Sequence, residues 1–191
     1  MSETLTFIRK SMFNFFKKKE QGVKVVDKIL ITQLAKWKAL EELNKKENNI
    51  VVAFWFAESL QQAQEVFSLE GGIIENFYLA GEIRLSQISG RHIVFAEHYP
   101  LSQKENELFE KLQLAEAEVW SAMDEPLFRE FGSDKIVQMM KQLGMKENQV
   151  IENNLISKAI HNAQDKIGKK ILTDQTASSQ EDWLRKNWRN S

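Results

Sequence analysis

Apolar residues recur at helical spacing near the start of the sequence. They stand at Val26, Ile29, Leu30, Leu34, Trp37, Leu40 and Leu43. Spacings of three and four residues are typical of a helix with one buried face. We therefore predict a helix from Val25 to Lys46, which Asn48 and Asn49 end.

Short apolar runs predict the strands. Ile50 to Phe56 reads IVVAFWF, a continuous run of β-branched and aromatic residues that is typical of a strand buried on both faces of a parallel sheet. A second strand is expected within Ile73 to Leu79 and a third within His92 to Ala96. Gly71 and Gly72 end the helix between the first two strands.

Helices are predicted between and after these strands. Ser59 is a candidate cap of the first, and Ser102 begins another that we expect to reach about Trp120. Beyond Pro126 the pattern is helical throughout, with helices near 133–143 and 153–172. The order of elements predicts a small α/β sheet with a leading helix laid against it and an all-helical C-terminal segment. Apolar residues at core spacing on the later helices are Ile136, Met139, Met140, Leu143 and Met145.

Composition restricts the classes of function. The 191 residues, 42% hydrophobic and 28% charged, fit one good-sized globular domain with or without a helical appendage. The chain has no cysteine, which excludes disulfides and thiolate chemistry, and its three histidines are too scattered to suggest a metal cluster. No apolar run approaches the roughly 20 residues that cross a bilayer. We expect a cytoplasmic protein without a cofactor.

The first residues have an amphipathic pattern. Ile8, Met12, Phe15 and Phe16 recur near helical spacing, and Lys17, Lys18 and Lys19 follow. Two interpretations stay open: the segment docks its phenylalanines on the protein's own core, or it touches an anionic membrane at the inner face. The interaction candidates in this segment are Phe13, Phe16, Lys17 and Lys18.

Two ordered blocks in the second half carry a family resemblance. Met123 to Met145 reads MDEPLFREFGSDKIVQMMKQLGM, and Ile151 to Lys170 reads IENNLISKAIHNAQDKIGKK. Both are similar to the junction, in the SecA preprotein translocase motor family, between the second nucleotide-binding lobe and the helical scaffold. The matching residues are Leu127, Arg129, Phe131, Gly132, Ser133, Asp134, Leu143, Gly144 and Met145, then Ile151, Glu152, Ala159, Ile160, Asn162, Ala163, Gln164 and Lys166.

The resemblance extends over about Lys28 to Lys170 and implies an architecture. It implies an α/β fold with a small, partly degenerate RecA-like parallel sheet, followed by an all-helical segment. We expect four parts: an amphipathic N-terminal segment (1–24), a degenerate RecA-like lobe (25–122), a helical scaffold-like segment (123–172) and a polar tail with a Trp-containing end (173–191).

The phosphate chemistry of the family is not matched. No G-x-x-x-x-G-K-[ST] motif occurs, so the loop whose amides and lysine cradle phosphates is absent from this sequence. Laid on the family's pattern from His92 onward, two arginines that would face the γ-phosphate fall on Lys111 and Leu114. The family's Ala-Gly-Arg-Gly-Thr-Asp motif is matched only at Ala80-Gly81, and Glu82 stands where its arginine would be. Lysine lacks the bidentate fork, leucine lacks charge, and glutamate reverses it. We expect no ATP hydrolysis by this chain alone.

Two other groups of residues have chemical potential. Glu97 and His98 follow a predicted strand and could act in acid–base chemistry. We prefer a structural role in which Glu97 helps to order the turn that follows it, because neighbouring strand residues point to opposite faces. In the tail, Trp183, Arg185 and Trp188 are interaction candidates that would dock on the domain itself or on a protein partner.

The sequence therefore predicts a non-catalytic, SecA-like interaction or scaffold protein with a protein partner. One alternative is a nucleotide- or nucleic-acid-binding remnant of a helicase-like lobe, which would use Arg84, Arg91 and the tail. Another is one half of a split ATPase, which the substitutions at Lys111 and Leu114 disfavour.

Overall fold

Five parallel strands form one sheet in the computed structural model, which describes residues 22–69, 71–72, 74–142 and 144–190. The strands are β1 (Lys24–Leu30), β2 (Ile50–Phe54), β3 (Phe77–Leu79), β4 (His92–Phe95) and β5 (Glu116–Ala122). Their order across the sheet is β1-β5-β4-β2-β3, so β4 lies at the centre. The predicted α/β fold is confirmed and is consistent with a RecA-like domain.

Helices connect the strands and continue beyond the last one. They are α1 (Gln33–Lys46), α2 (Ala57–Leu69), α3 (Leu85–Ile88), α4 (Ser102–Lys111), α5 (Pro126–Glu130), α6 (Ser133–Gln142), α7 (Asn154–Gly168) and α8 (Gln180–Trp183), which runs on into a π-helical segment, Leu184–Arg189. None of these helices is long and apolar enough to cross a membrane.

Strand β2 is fully buried because both faces of the sheet are covered at this strand. Ile50, Val52 and Phe54 pack with the apolar faces of α1 and α2. Val51 and Ala53, which point the other way, pack with residues of α4 and β5. The continuous apolar run therefore predicts this strand correctly, because both of its faces are covered by protein.

The helix predicted from Val25 is wrong over its first part. That part is β1, which pairs in parallel with β5 so that Val25 lies opposite Ala117 and Ile29 opposite Ser121. The helix α1 begins only at Gln33, after Thr32 has capped it by accepting from the amide of Ala35 at 3.2 Å. The β-branched residues of this stretch suit either structure, and the pairing with a distant strand decides it.

The helix predicted from Ser102 to Trp120 is wrong over its second part. It ends at Lys111, and Gln113 then takes a positive φ of 54° that a continuing helix cannot accommodate. The chain returns as β5, which fills the space between β1 and β4. The sheet therefore has two strands more than the sequence predicts, and the expected leading helix is in fact preceded by a strand.

The C-terminal helices share a core with the sheet. An antiparallel bridge joins Ile29 of β1 to Ile151, with both backbone hydrogen bonds at or below 3.0 Å. Ile160 and Ile167 of α7 and Trp183 of α8 belong to the same buried cluster as Ile29. The helix predicted over 153–172 ends sooner, at Gly168. The N-terminal segment with Phe13, Phe16, Lys17 and Lys18 lies outside the described residues.

The expected core face of α6 is buried only in part. Met140 packs in the core, as predicted, and the partly buried Met145 packs against it, while Leu143 is outside the described residues. Ile136 and Met139 are exposed, contrary to the prediction. They face a groove between α6 and α7 that no described residue fills, so periodicity identifies the apolar face without showing that it is covered.

Candidate functional site at the carboxyl edge of the sheet

The carboxyl ends of the strands bring together several buried charged residues. In open α/β sheets this edge is where ligand-binding groups are usually found. Here it holds Lys36 from α1, Glu97 and His98 from the exit of β4, and Glu125 after β5. All four side chains are almost completely buried. These buried charges are the candidates for chemistry at this edge.

Lys36 is held by two oxygen atoms and a ring. Its Nζ donates to the carbonyl of Ala96 at 2.6 Å, forms an ion pair with Glu125 Oε1 and lies 3.9 Å from the centroid of the Trp37 ring. The amide of Ala122 donates to the same Glu125 oxygen at 3.0 Å. Burial raises the pKa of Glu125, although the nearby Lys36 ammonium opposes that rise. The ammonium therefore links the exits of β4 and β5 and is directed into the protein.

Glu97 ties the exit of β4 to the turn after β2. Its Oε1 accepts from the amides of Trp55 and Phe56, each at 3.2 Å, and its Oε2 accepts from the Ser59 hydroxyl at 2.6 Å. Burial raises its pKa to about 7, with Lys36 and these hydrogen bonds acting in the opposite direction. Ser59 is predicted to cap α2, but it lies within the first turn of that helix and bonds to Glu97 instead. Glu97 does order a turn, and that turn belongs to the neighbouring strand.

His98 bridges two carboxylates on the other side of β4. Nε2 lies 2.9 Å from Asp27 Oδ1 and Nδ1 lies 2.9 Å from Glu105 Oε1. Burial alone would lower the pKa of His98, but the two carboxylates outweigh it and raise that pKa to about 10. Burial alone would raise the pKa of Asp27, but the His98 imidazolium outweighs it and lowers that pKa. Glu97 and His98 therefore have separate partners and do not form an acid–base pair.

Glu105 is itself fixed by neighbouring donors. The amide of Tyr99 donates to Oε1 at 2.7 Å, and the side-chain amide of Gln164 donates to Oε2 at 2.8 Å. Gln164 also donates to the carbonyl of Tyr99 at 2.8 Å. The matched glutamine of α7 thus connects the family-like segment to the exit of β4. Among the described residues, no group of three or more His, Cys, Asp or Glu side chains is arranged to hold a metal ion.

The C-terminal tail lies over this edge. The side-chain amide of Gln180 donates to the carbonyl of His98 at 3.0 Å, and its Oε1 accepts from the amide of Leu127 at 2.7 Å. The carbonyl of Ser178 accepts from the amide of Glu58 at the start of α2, also at 3.0 Å. The tail therefore bonds to the exit of β4 and to the segments that follow β2 and β5.

Trp183 fills the space next to these bonds. It is fully buried, and its Nε1 donates to Asp174 at 2.7 Å and to the hydroxyl of Tyr99 at 3.0 Å. Tyr99 in turn donates to Asp174 and stacks on Phe56, with the ring centroids 5.7 Å apart. Burial and the Asp174 carboxylate raise the pKa of Tyr99 above its usual range, so the hydroxyl stays protonated. Trp183, a predicted interaction residue, contacts its own domain.

The other predicted tail residues lie farther out. Trp188 is half-buried, and its Nε1 donates to Glu130 Oε1 at 2.8 Å. Arg185 is exposed and donates to Asp182 at 2.6 Å. The guanidinium of Arg189 donates to Glu130 Oε2 at 2.9 Å and pairs with Glu181 as well. These cations have acidic partners within or next to the tail.

The three positions assigned from the family's arginines are not brought together. Glu82 is exposed in a 3-10 turn after β3, at the carboxyl edge. Lys111 is exposed at the end of α4, and Leu114 is half-buried in the connection to β5. Because α4 leaves the carboxyl edge and the next strand is parallel to β4, Lys111 and Leu114 lie towards the amino edge. They are separated from Lys36 and Glu82 by the length of the strands.

The basic residues of the nucleic-acid alternative are also separated. Arg91 lies just before β4 at the amino edge, where its guanidinium donates to the carbonyls of Ile50 at 3.1 Å and Gln87 at 3.4 Å. Arg84 is exposed before α3. The tail lies at the opposite edge from Arg91, so these groups do not line one surface.

The family-like junction has a definite local structure. The helix α5 ends at Glu130, Gly132 takes a positive φ of 85°, and Ser133 begins α6. The Ser133 hydroxyl donates to the carbonyl of Met123 at 2.5 Å, which returns the start of α6 to the exit of β5. Glycine is favoured at this turn because a side chain would strain the left-handed backbone.

Several residues of this edge are not found by the sequence analysis. Asp27, Lys36, Glu125 and Gln180 are buried with polar partners, and local patterns assign them no role. The one available signal is a charge inside an apolar stretch, as in Val26-Asp27-Lys28-Ile29. Their partners are distant in sequence, so the signal does not indicate which groups meet.

Comparison with known proteins locates a relationship over part of the chain. An 85-residue stretch is 35% identical to the protein translocase subunit SecA of Maridesulfovibrio salexigens, covering 42% of this chain and 10% of that protein. The corresponding SecA of Syntrophus aciditrophicus is 32% identical over 88 residues, 44% of this chain and 10% of that protein. The chain contains a SecA-related segment. A shorter stretch of 52 residues is 44% identical to the SecA of Campylobacter hominis.

The extent of this similarity limits what it conveys. The chain spans about a tenth of the length of these curated relatives. No protein-family model matches the chain. The similarity therefore establishes a SecA-related segment that covers a small part of each relative.

Proposed function

We propose that this chain is a non-catalytic, SecA-like interaction or scaffold protein associated with the preprotein translocation machinery. The observation that carries the non-catalytic part is the position of the tail. Gln180 and Trp183 occupy the carboxyl edge of the sheet, where an α/β protein would otherwise receive a ligand. A nucleotide at that edge would have to displace buried hydrogen-bonded groups.

The charges at the same edge support this proposal. A phosphate site needs donors directed at the ligand. Lys36 is directed at Ala96 and Glu125, and the imidazolium of His98 is directed at Asp27 and Glu105. Each cation is already compensated within the protein. These groups hold the strand exits together, which suits a scaffold.

The positions assigned from the family's arginines point the same way. Glu82 has the opposite charge to arginine and lies at the other edge of the sheet from Lys111 and Leu114, and Leu114 has no charge. A split ATPase completed by a second chain would need cations placed together to stabilise charge on a transferred phosphoryl group. The exposed acid and the half-buried leucine do not provide them.

The link to translocation rests on the SecA-related segment. The relatives are described as protein translocase subunits. In this chain the family-like residues have structural roles: Gln164 bonds Glu105, and Ser133 bonds Met123. We infer that the segment preserves a shape that a protein partner of the translocase recognises, at the cytoplasmic face of the inner membrane.

Binding to defined translocase components tests this function. The full chain would be immobilised and exposed to purified motor and channel components of the preprotein translocase, one at a time. The expected result is saturable binding of at least one component that MgATP does not alter. Binding to none of them, together with oligonucleotide binding that weakens steeply with salt, would favour the nucleic-acid alternative and overturn the proposal.

A further inference from the structure

An apolar groove lies between α6 and α7. Its volume is about 420 Å³, within the range of sites that hold an apolar group of several side chains. The lining includes Phe128 and Phe131, with Ile136 and Met139 of α6 and Leu155 and Ile156 of α7. Ser133, a polar member of the lining, uses its hydroxyl on the Met123 carbonyl.

The groove is open to solvent in the described part of the chain. Ile136 is 42% exposed, Met139 54% and Leu155 77%. Isolated apolar side chains on a surface are common, but a continuous apolar groove marks a place where something docks. The high apolar content of this groove favours an amphipathic helix, which presents residues three and four apart to such a groove.

The chain itself enters the described structure beside this groove. Gly22 lines a cleft of about 320 Å³ together with Ile160 and His161 of α7. Ile160 lines the groove as well. The two depressions therefore flank the same helix, and Gly22 lies on the neighbouring side of α7.

The segment before Gly22 is long enough to pass around a helix. An α-helix with its side chains is about 10–12 Å across. Residues 17–21 can span about 17 Å when extended, at roughly 3.3 Å per residue, which is enough to pass around α7. The residues before them carry apolar side chains at helical spacing, namely Ile8, Met12, Phe15 and Phe16.

We propose that residues 8–16 dock in cis in the groove between α6 and α7. The tether at Gly22 gives this segment a high effective concentration at the groove, which a separate chain or a lipid surface lacks. Docking covers Ile136, Met139 and Leu155. The cis contact also withholds the phenylalanines from a membrane, so that groove and lipid compete for one segment. The inference does not depend on the proposed function.

A spin label tests the contact, and the absence of cysteine allows single-site labelling of the full chain. Ser11→Cys carries the nitroxide, and methyl signals are observed by NMR. The expected result is loss of the signals of Ile136, Met139 and Leu155, while those of Leu69, which is 87% exposed on α2, persist. Met139→Asp restores the Leu155 signal, and the matched Leu69→Asp leaves it lost.

A mixing experiment distinguishes docking within one chain from docking between two copies of the chain. Spin-labelled chain without isotope is added to isotope-labelled chain without the nitroxide. Persistence of the groove signals in that mixture supports docking in cis, and their loss assigns the groove to a second copy and overturns the proposal. The proposal is also overturned if the nitroxide leaves the groove signals unaffected in the first experiment. That result would hold whether the segment binds anionic vesicles or another part of the protein.

Discussion

The side-chain amide of Gln180 donates to the carbonyl of His98 at 3.0 Å, across 82 residues of sequence. His98 follows the central strand, and Gln180 begins α8. The same glutamine accepts from Leu127. One side chain therefore satisfies two buried backbone groups at the edge where ligands of α/β proteins usually bind, and it does so with the tail that covers that edge.

Replacing this glutamine is expected to destabilise the fold. Gln180→Ala leaves the His98 carbonyl and the Leu127 amide without their partner, which costs about 1–3 kcal/mol for a buried polar group. The free energy of unfolding is measured by urea denaturation. The matched control is Gln61→Ala, an exposed glutamine that bonds Glu65 one turn away, with an expected change within about 0.5 kcal/mol. Equal effects of the two substitutions would contradict the role given to the tail.

The buried ion pair of Lys36 is expected to be costly to break. Lys36→Met leaves Glu125 buried without its cation and is predicted to lower the free energy of unfolding by about 3–5 kcal/mol. Adding Glu125→Gln removes the uncompensated charge and recovers part of that loss. The control is Lys24→Met, which breaks an exposed pair with Glu116 and is expected to cost at most about 1 kcal/mol. If the double variant were no more stable than Lys36→Met, the pairing would not explain the loss.

Glu97 predicts a pH dependence at the acidic side of neutrality. Burial raises its pKa in the folded protein from 4.5 to about 7, so the folded state holds a proton that the unfolded state releases. The free energy of unfolding should therefore fall as pH rises through this window, by up to about 1.4 kcal/mol per pH unit for one proton. Glu97→Gln cannot release a proton and should flatten that decline. Glu125 is present in both proteins. If the decline in unfolding free energy were the same in Glu97→Gln, it would come from a group other than Glu97.

His98 predicts a second decline at higher pH. Its pKa rises from 6.5 unfolded to about 10 folded, so its contribution is fully present below pH 6.5 and is lost as pH rises towards 10. In His98→Gln the facing carboxylates Asp27 and Glu105 lose their cation, so the variant should be less stable at neutral pH. The difference in unfolding free energy from the original protein should shrink towards pH 10. A constant difference over that range would mean that the imidazole is not charged in the fold.

The sequence predicts the fold class better than the number of strands. IVVAFWF is recognisable as a strand because both faces are apolar and both are covered. In β1 and β5, apolar residues occur at spacings that fit a helix as well, and the two strands are paired mainly with each other. Pairing between residues about 90 positions apart, such as Lys24 and Glu116, leaves no trace in a local window.

The site is predictable only where a residue belongs to a recognisable block. The junction around Gly132 and Ser133 can be identified from its pattern, and its turn is present. Lys36 and Gln180 resemble ordinary polar residues on helices, and their importance comes from burial against distant carbonyls. Exposure of Met139 is also unpredictable, because periodicity defines an apolar face and tertiary packing decides what covers it.

The tail covers the carboxyl edge of the sheet, and we propose that no nucleotide is turned over there. Isothermal titration calorimetry of MgATP into the full chain, with phosphate release measured on the same sample, tests it most directly. We expect no saturable heat of binding and no phosphate release above the buffer control, in the original protein and in Gln180→Ala alike. Micromolar binding accompanied by magnesium-dependent turnover would contradict it.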